Sequence, residues 1–207
     1  MRKLITLVSV LALATLLADS HPATADRGVS RFATLPVGPG HPEGIAAAAA
    51  GNIYAASFEF SGVNNIYVFA PNGRLKDTIA LNGHVPLGLQ FGPDGKLYVA
   101  DFGNGAVLQL APPGHAITRT YPVCAGGGTT CGLNAIAFDA SGLLYVSDSF
   151  GGNIFTLDRS TGTVIPWIQD ERLKPAPSPH GFPGMAPTDS LSKAPTSTSQ
   201  TPPTTAS

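Results

Sequence analysis

Charge is scarce in this chain. Only 12% of its 207 residues are Asp, Glu, Lys or Arg, and the formal net charge is −1. That share is about half of what soluble proteins usually carry. It leaves no electrostatic footprint for nucleic acid or an anionic membrane. Cysteine is scarcer still, with only Cys124 and Cys131 present. Their spacing does not match C-x-x-C, and no second motif pairs with it. P-loops, dinucleotide fingerprints and Gly-x-Ser-x-Gly elbows are all missing. Ser147-Asp148-Ser149 therefore carries no hydrolytic-triad signal. Beyond the N-terminus no run is long and apolar enough to span a membrane, and no convincing amphipathic helix appears.

What is abundant is turn chemistry, with 24 glycines and 19 prolines. One phrase recurs: a short apolar strand, a turn and a second strand ending near an acidic residue. Its clearest copy is Gly88-Leu89-Gln90-Phe91-Gly92-Pro93-Asp94-Gly95-Lys96-Leu97-Tyr98-Val99-Ala100-Asp101. A weaker copy surrounds Gly51 and Tyr54, and a strong one runs from Asn134 to Asp148. Tyr54, Tyr98 and Tyr145 each follow a glycine by three positions. They set a period of about 44–47 residues, the length of a propeller blade. Turn signals such as Pro71-Asn72-Gly73, Gly103-Asn104-Gly105 and Ser160-Thr161-Gly162 divide each repeat into four short strands. The expected fold is all-β: a β-propeller of about three four-stranded blades over residues 41–82, 83–125 and 130–172. Ala46–Ala50 has helical propensity, but the repeat alignment predicts strand there.

Three blades are fewer than the 4–8 that usually close a propeller. Three readings stay open: a shortened copy of a longer parent, two chains pairing into six blades, or three blades covered by leader and tail. Open blade faces invite self-association. Upstream, Arg2 and Lys3 precede an apolar run from Leu4 to Leu17, and Ala23-Thr24-Ala25 forms a small-x-small site. This pattern predicts a signal peptide over 1–25 cleaved after Ala25, hence a secreted or periplasmic protein with no stable membrane span after cleavage. An uncleaved anchor is the alternative. Residues 26–40 read as a leader. Residues 173–207 are dominated by Pro, Ser, Thr and Ala and read as a disordered tail. In an oxidising compartment the Gly-rich loop between Cys124 and Cys131 favours a disulfide; a metal or redox pair is the alternative.

Pro42-Glu43-Gly44-Ile45, the Asp-Gly…Tyr-Val-Ala-Asp phrase and Leu133-Asn134-Ala135-Ile136…Tyr145-Val146-Ser147-Asp148 resemble the senescence-marker-protein/gluconolactonase/luciferin-regenerating-enzyme family. They also resemble NHL-repeat propellers. The first resemblance implies a six-bladed propeller holding one divalent cation (Ca, Mg or Mn) in its channel. The implied ligands are a Glu from an early Glu-Gly motif, two Asn and an Asp. The implied chemistry is lactone or ester hydrolysis, with the cation polarising the carbonyl. Glu43 matches the Glu, and Asn134 fits one Asn. Leu87 fills the same slot in the second repeat and cannot ligate. Asp148 could line the same end, without matching a ligand position. The second resemblance implies a non-catalytic propeller that binds a small molecule or a protein through its channel-end loops.

Each of these residues also has a plain reading. Glu43 suits a solvated blade edge, and Asn134 a strand-start cap. Asp101 and Asp148 recur in equivalent places, which favours accepting backbone N–H groups of the following loop. Tyr54, Tyr98 and Tyr145 favour packing between blades. His41 and His84 precede equivalent strands, either as loop residues or as a general base.

Overall fold

The computed structural model describes residues 30–175, apart from 37, 39, 60–62 and 113. The expected signal peptide and nearly all of the Pro/Ser/Thr-rich tail lie outside the described residues. Contacts divide the chain after Arg31, and the unit from Phe32 onward holds every described strand. No helix among the described residues is long and apolar enough to cross a membrane.

Among the described residues, twelve strands form three four-stranded antiparallel sheets, each a meander in chain order. Blade 1 holds β1 (His41–Ala47), β2 (Ile53–Phe58), β3 (Asn64–Phe69) and β4 (Leu75–Leu81). Blade 2 holds β5 (Pro86–Phe91), β6 (Leu97–Asp101), β7 (Ala106–Ala111) and β8 (Ala116–Pro122). Blade 3 holds β9 (Leu133–Phe138), β10 (Leu144–Asp148), β11 (Asn153–Leu157) and β12 (Val164–Gln169). A short 3-10 turn, Glu171–Leu173, follows. Strand β1 stops at Ala47, so the alanine run is half strand and half turn.

The Gly-x-x-Tyr phrase works through its glycine. Gly51, Gly95 and Gly142 sit at φ 82°, 72° and 84° in the turn between each blade's first two strands. That region is open to glycine and costly for most other residues. The same closure recurs each time: Gly51 N–H to Ala48 O, Gly95 N–H to Gly92 O, and Gly142 N–H to Asp139 O.

The innermost strands β1, β5 and β9 lie side by side, so blade packs on blade. Strand β6 is buried at every position because blades cover both faces of its sheet. The outermost strands β4, β8 and β12 are mostly exposed. One apolar cluster joins Tyr54, Ile66 and Val68 of blade 1 to Leu89, Leu97, Val99 and Leu108 of blade 2. A second joins Tyr98, Val107 and Tyr121 to Ile136, Leu144, Val146 and Leu157 of blade 3. Each fully buried leucine contributes roughly 1.5–3 kcal/mol relative to exposure. On the outer side of blade 1, Phe32 packs edge-on against Phe69, ring centroids 6.5 Å apart.

Candidate functional site

Each innermost strand carries a β-bulge at the same place. In blade 1, Pro42 pairs with Ser57 and Ile45 with Ala55, so Glu43 and Gly44 share one partner position. In blade 2, Pro86 pairs with Asp101 and Leu89 with Val99, which bulges Leu87 and Gly88. In blade 3, Leu133 pairs with Asp148 and Ile136 with Val146, which bulges Asn134 and Ala135. A bulge re-aims side chains and often borders a site. It also lets backbone approach backbone. A Cβ on Gly44 would overlap the Leu87 carbonyl oxygen, and one on Gly88 the Asn134 carbonyl oxygen. The three bulged strands form a groove of about 260 Å³ lined by Glu43, Gln90 and Asn134, with Ile45, Leu89 and Ile136.

Glu43 and Asn134 therefore line one groove. Glu43 is exposed, whereas Asn134 is buried. Leu87, in the equivalent slot of blade 2, is buried with Phe58 and Phe102. Sequence reasoning missed Gln90, which also lines the groove. Gln90 is three residues beyond the slot, and its bearing on the groove depends on the bulge between them.

Asp148 does not line this groove. Its carboxylate accepts hydrogen bonds from the N–H groups of Gly132 (2.8 Å), Phe150 (3.1 Å) and Gly151 (3.0 Å), and from Asn153 Nδ2 (2.9 Å). Asp101, its counterpart in blade 2, is held mainly by side chains. It accepts from Val85 N–H at 3.0 Å and Asn104 Nδ2 at 2.8 Å, and it pairs with His84 Nδ1 at 2.6 Å. His41 lies against Phe58, ring centroids 5.9 Å apart. Cys124 and Cys131 are joined as a disulfide. Their sulfurs and an Asp148 oxygen lie within 4.8 Å of one another. The disulfide leaves no thiolate there to ligate a metal.

The groove's donors suit a hard divalent cation in kind: one carboxylate and two amide oxygens. They amount to a single negative charge, so the set fits a weakly held ion whose other ligands are water or substrate.

A larger cavity, about 500 Å³, opens between blades 2 and 3 at the turn end of the inner strands. Arg159, from the β11–β12 turn, crosses it to meet Tyr98 OH at 3.1 Å and Gly142 O at 3.1–3.2 Å. Its guanidinium also covers the rings of Tyr98 and Phe138, 5.4 and 5.2 Å from the centroids. Burial raises the Tyr98 pKa above its ordinary value. Burial works against the Arg159 charge, but the bond to Tyr98 and nearby Asp94 outweigh it and hold that pKa up.

The three meandering sheets, packed through their first strands, define a propeller-type protein. Comparison with solved structures agrees at the level of fold. A catalytically inactive variant of virginiamycin B lyase from Staphylococcus aureus with quinupristin superposes with a TM-score of 0.56 at 20% identity, over 67% of this chain and 44% of that one. YCF48 bound to D1 peptide matches at 0.51 and 14% identity, over 65% and 41%. A putative gluconolactonase matches at 0.49 and 20% identity, over 63% and 48%. The chain thus spans less than half the length of these three structures. No protein-family model matches the chain, and no curated protein matches it in sequence.

Proposed function

We propose that the groove among β1, β5 and β9 is the cation and ligand site of an exported, gluconolactonase-like propeller acting on lactones or esters. One observation carries this reading: the repeated bulge brings Glu43 and Asn134, from blades 1 and 3, to line a single groove. Glu43 and Asn134 would hold a Ca, Mg or Mn ion, with the Gln90 amide beside them. Such an ion supplies Lewis acidity toward a carbonyl. Glu43 contributes the charge that attracts the ion. Asn134, buried on the bulge, would supply a neutral amide oxygen. Ile45, Leu89 and Ile136 offer an apolar flank for the rest of the substrate.

The single carboxylate favours a second reading, a non-catalytic propeller that binds a small molecule or a peptide in the same groove. YCF48, among the matched structures, is bound to the D1 peptide, which supports this reading. Hydrolysis of a δ-lactone, with and without chelator, separates the two. A rate that chelator abolishes and Glu43→Gln lowers at least about tenfold supports the hydrolase. A rate indifferent to chelator, or none at all, rejects it and leaves the binding module.

A further inference from the structure

We propose that the cleft between blades 2 and 3 is a binding site for a small oxyanion, a phosphate- or carboxylate-bearing polar molecule. This inference is independent of the proposed function and uses none of its residues. Its basis is a polar row across the face that blade 2 turns toward blade 3. Tyr98 pairs in register with Gln109, and Gln109 with Arg119, from β6 across to β8. The equivalent row of blade 1 runs Tyr54, Val68, Asp77 and carries no cation.

Three cations line the cleft, Lys96, Arg119 and Arg159, against two carboxylates, Asp94 and Asp158. The carboxylates are already engaged. Asp158 accepts from Ser160 N–H at 2.8 Å and Ser160 Oγ at 2.6 Å within its own turn. Asp94 accepts from Tyr98 OH at 3.0 Å and pairs with Arg159 Nη1 at 3.3 Å. Arg159 is engaged as well, on Tyr98 and Gly142.

Lys96 and Arg119 are the less fully engaged cations. The Lys96 ammonium reaches Gln109 Oε1 only at 3.4 Å and Asp94 at 3.8 Å. Arg119 lies 4.6 Å from the Tyr121 ring centroid and donates through Nη1 to the Arg159 carbonyl at 2.8 Å. Among the described residues no carboxylate pairs with Arg119. A guanidinium held over an aromatic ring, with donors to spare, is preorganised for an oxyanion. The volume suits a small molecule, and the Ser141 and Ser160 hydroxyls, also in the lining, suit its polar remainder.

The test titrates the full chain with inorganic phosphate, and in parallel with malonate, at constant ionic strength. Calorimetry and the backbone amide NMR signals of Ser141, Gly142 and Ser160 report binding. The expected result is saturable binding with a roughly millimolar dissociation constant. Lys96→Met combined with Arg119→Met should weaken it by at least about tenfold, while Lys76→Met, on β4, leaves it unchanged. The tighter of the two ligands then assigns phosphate or carboxylate. Lys96 is partly exposed and Arg119 exposed, and a thermal melt of the double variant confirms folding. Linear shifts that never saturate, full binding by the folded double variant, or equal loss in Lys76→Met would overturn the proposal.

Discussion

The two seams of this propeller begin from the same repeat and end in different chemistry. In both, the recurrent tyrosine meets the phenylalanine that ends the next blade's first strand. Tyr54 meets Phe91 with centroids 5.0 Å apart at 79°, and Tyr98 meets Phe138 at 5.2 Å and 72°. In both, a side chain from the last turn of the following blade reaches back to the tyrosine hydroxyl. At the first seam it is His115, whose Nε2 lies 3.0 Å from Tyr54 OH and whose Nδ1 is 3.7 Å from Asp77. At the second it is Arg159 with its wider set of partners. His115 adopts a positive φ of 52°, so part of its contact offsets backbone strain. Tyr145, the third member, has Trp167 of its own blade as ring partner at 5.0 Å. The repeated residues set the scaffold, and the residues beside them decide which partners reach the tyrosine hydroxyl.

The inner bulges offer the strongest way to break this comparison. Gly44→Ala and Gly88→Ala should each cost about 3 kcal/mol in urea unfolding, because the new Cβ meets a backbone carbonyl that cannot move aside. Ala135→Gly, the matching position of blade 3, should change stability by no more than about 1 kcal/mol. Equal effects at all three positions would show that the close approach is not what the glycines serve.

A smaller contrast separates the turn residues. Arg159→Met removes charge-assisted bonds and leaves Asp94 with only Lys96, 3.8 Å away, so about 2 kcal/mol of stability should go. His115→Asn keeps a residue tolerant of positive φ and loses one bond to Tyr54, at about 1 kcal/mol or less. If the histidine variant proves the more damaging, the second seam is not the more tightly held.

The smallest effect is in acid. Bonds to Ser160 hold the Asp158 pKa down at about 2, despite a small opposing cost of desolvation. For a carboxylate with a lowered folded pKa, the stability is present above its unfolded value near 4 and is lost as pH falls toward the folded one. The β11–β12 turn should therefore loosen between about pH 4 and 2. Melting temperatures across that range should fall more steeply for the native chain than for Asp158→Asn. Parallel curves would remove Asp158 from the account.

Much of the fold was legible because it is local. A turn at positive φ favours glycine wherever the chain puts it, so Gly51, Gly95 and Gly142 announce three hairpins. The recurrence of Asp101 and Asp148 favours both accepting N–H groups of the following loop. Asp148 does so through Phe150 and Gly151, whereas Asp101 takes the backbone N–H of Val85, ahead of β5, and only the side chain of Asn104 from the loop that follows it. Half of the groove was legible as well, since Glu43 and Asn134 stand out against Leu87 in one slot. Gln90 was not. Its bearing depends on a bulge, and a bulge is a mismatch between two strands that neither strand's sequence records alone.

The sequence by itself determined three four-stranded blades, their turns and the recurrence of a tyrosine three residues after each turn glycine, because each rests on neighbours a few residues apart. Only the tertiary structure decided which side chains share a groove and which charges share a cleft. Lys96, Arg119 and Arg159 are far apart in the chain, and nothing local relates them. They share a cleft because blade 3 packs on blade 2 through strands that had first to pair, bulge and stack.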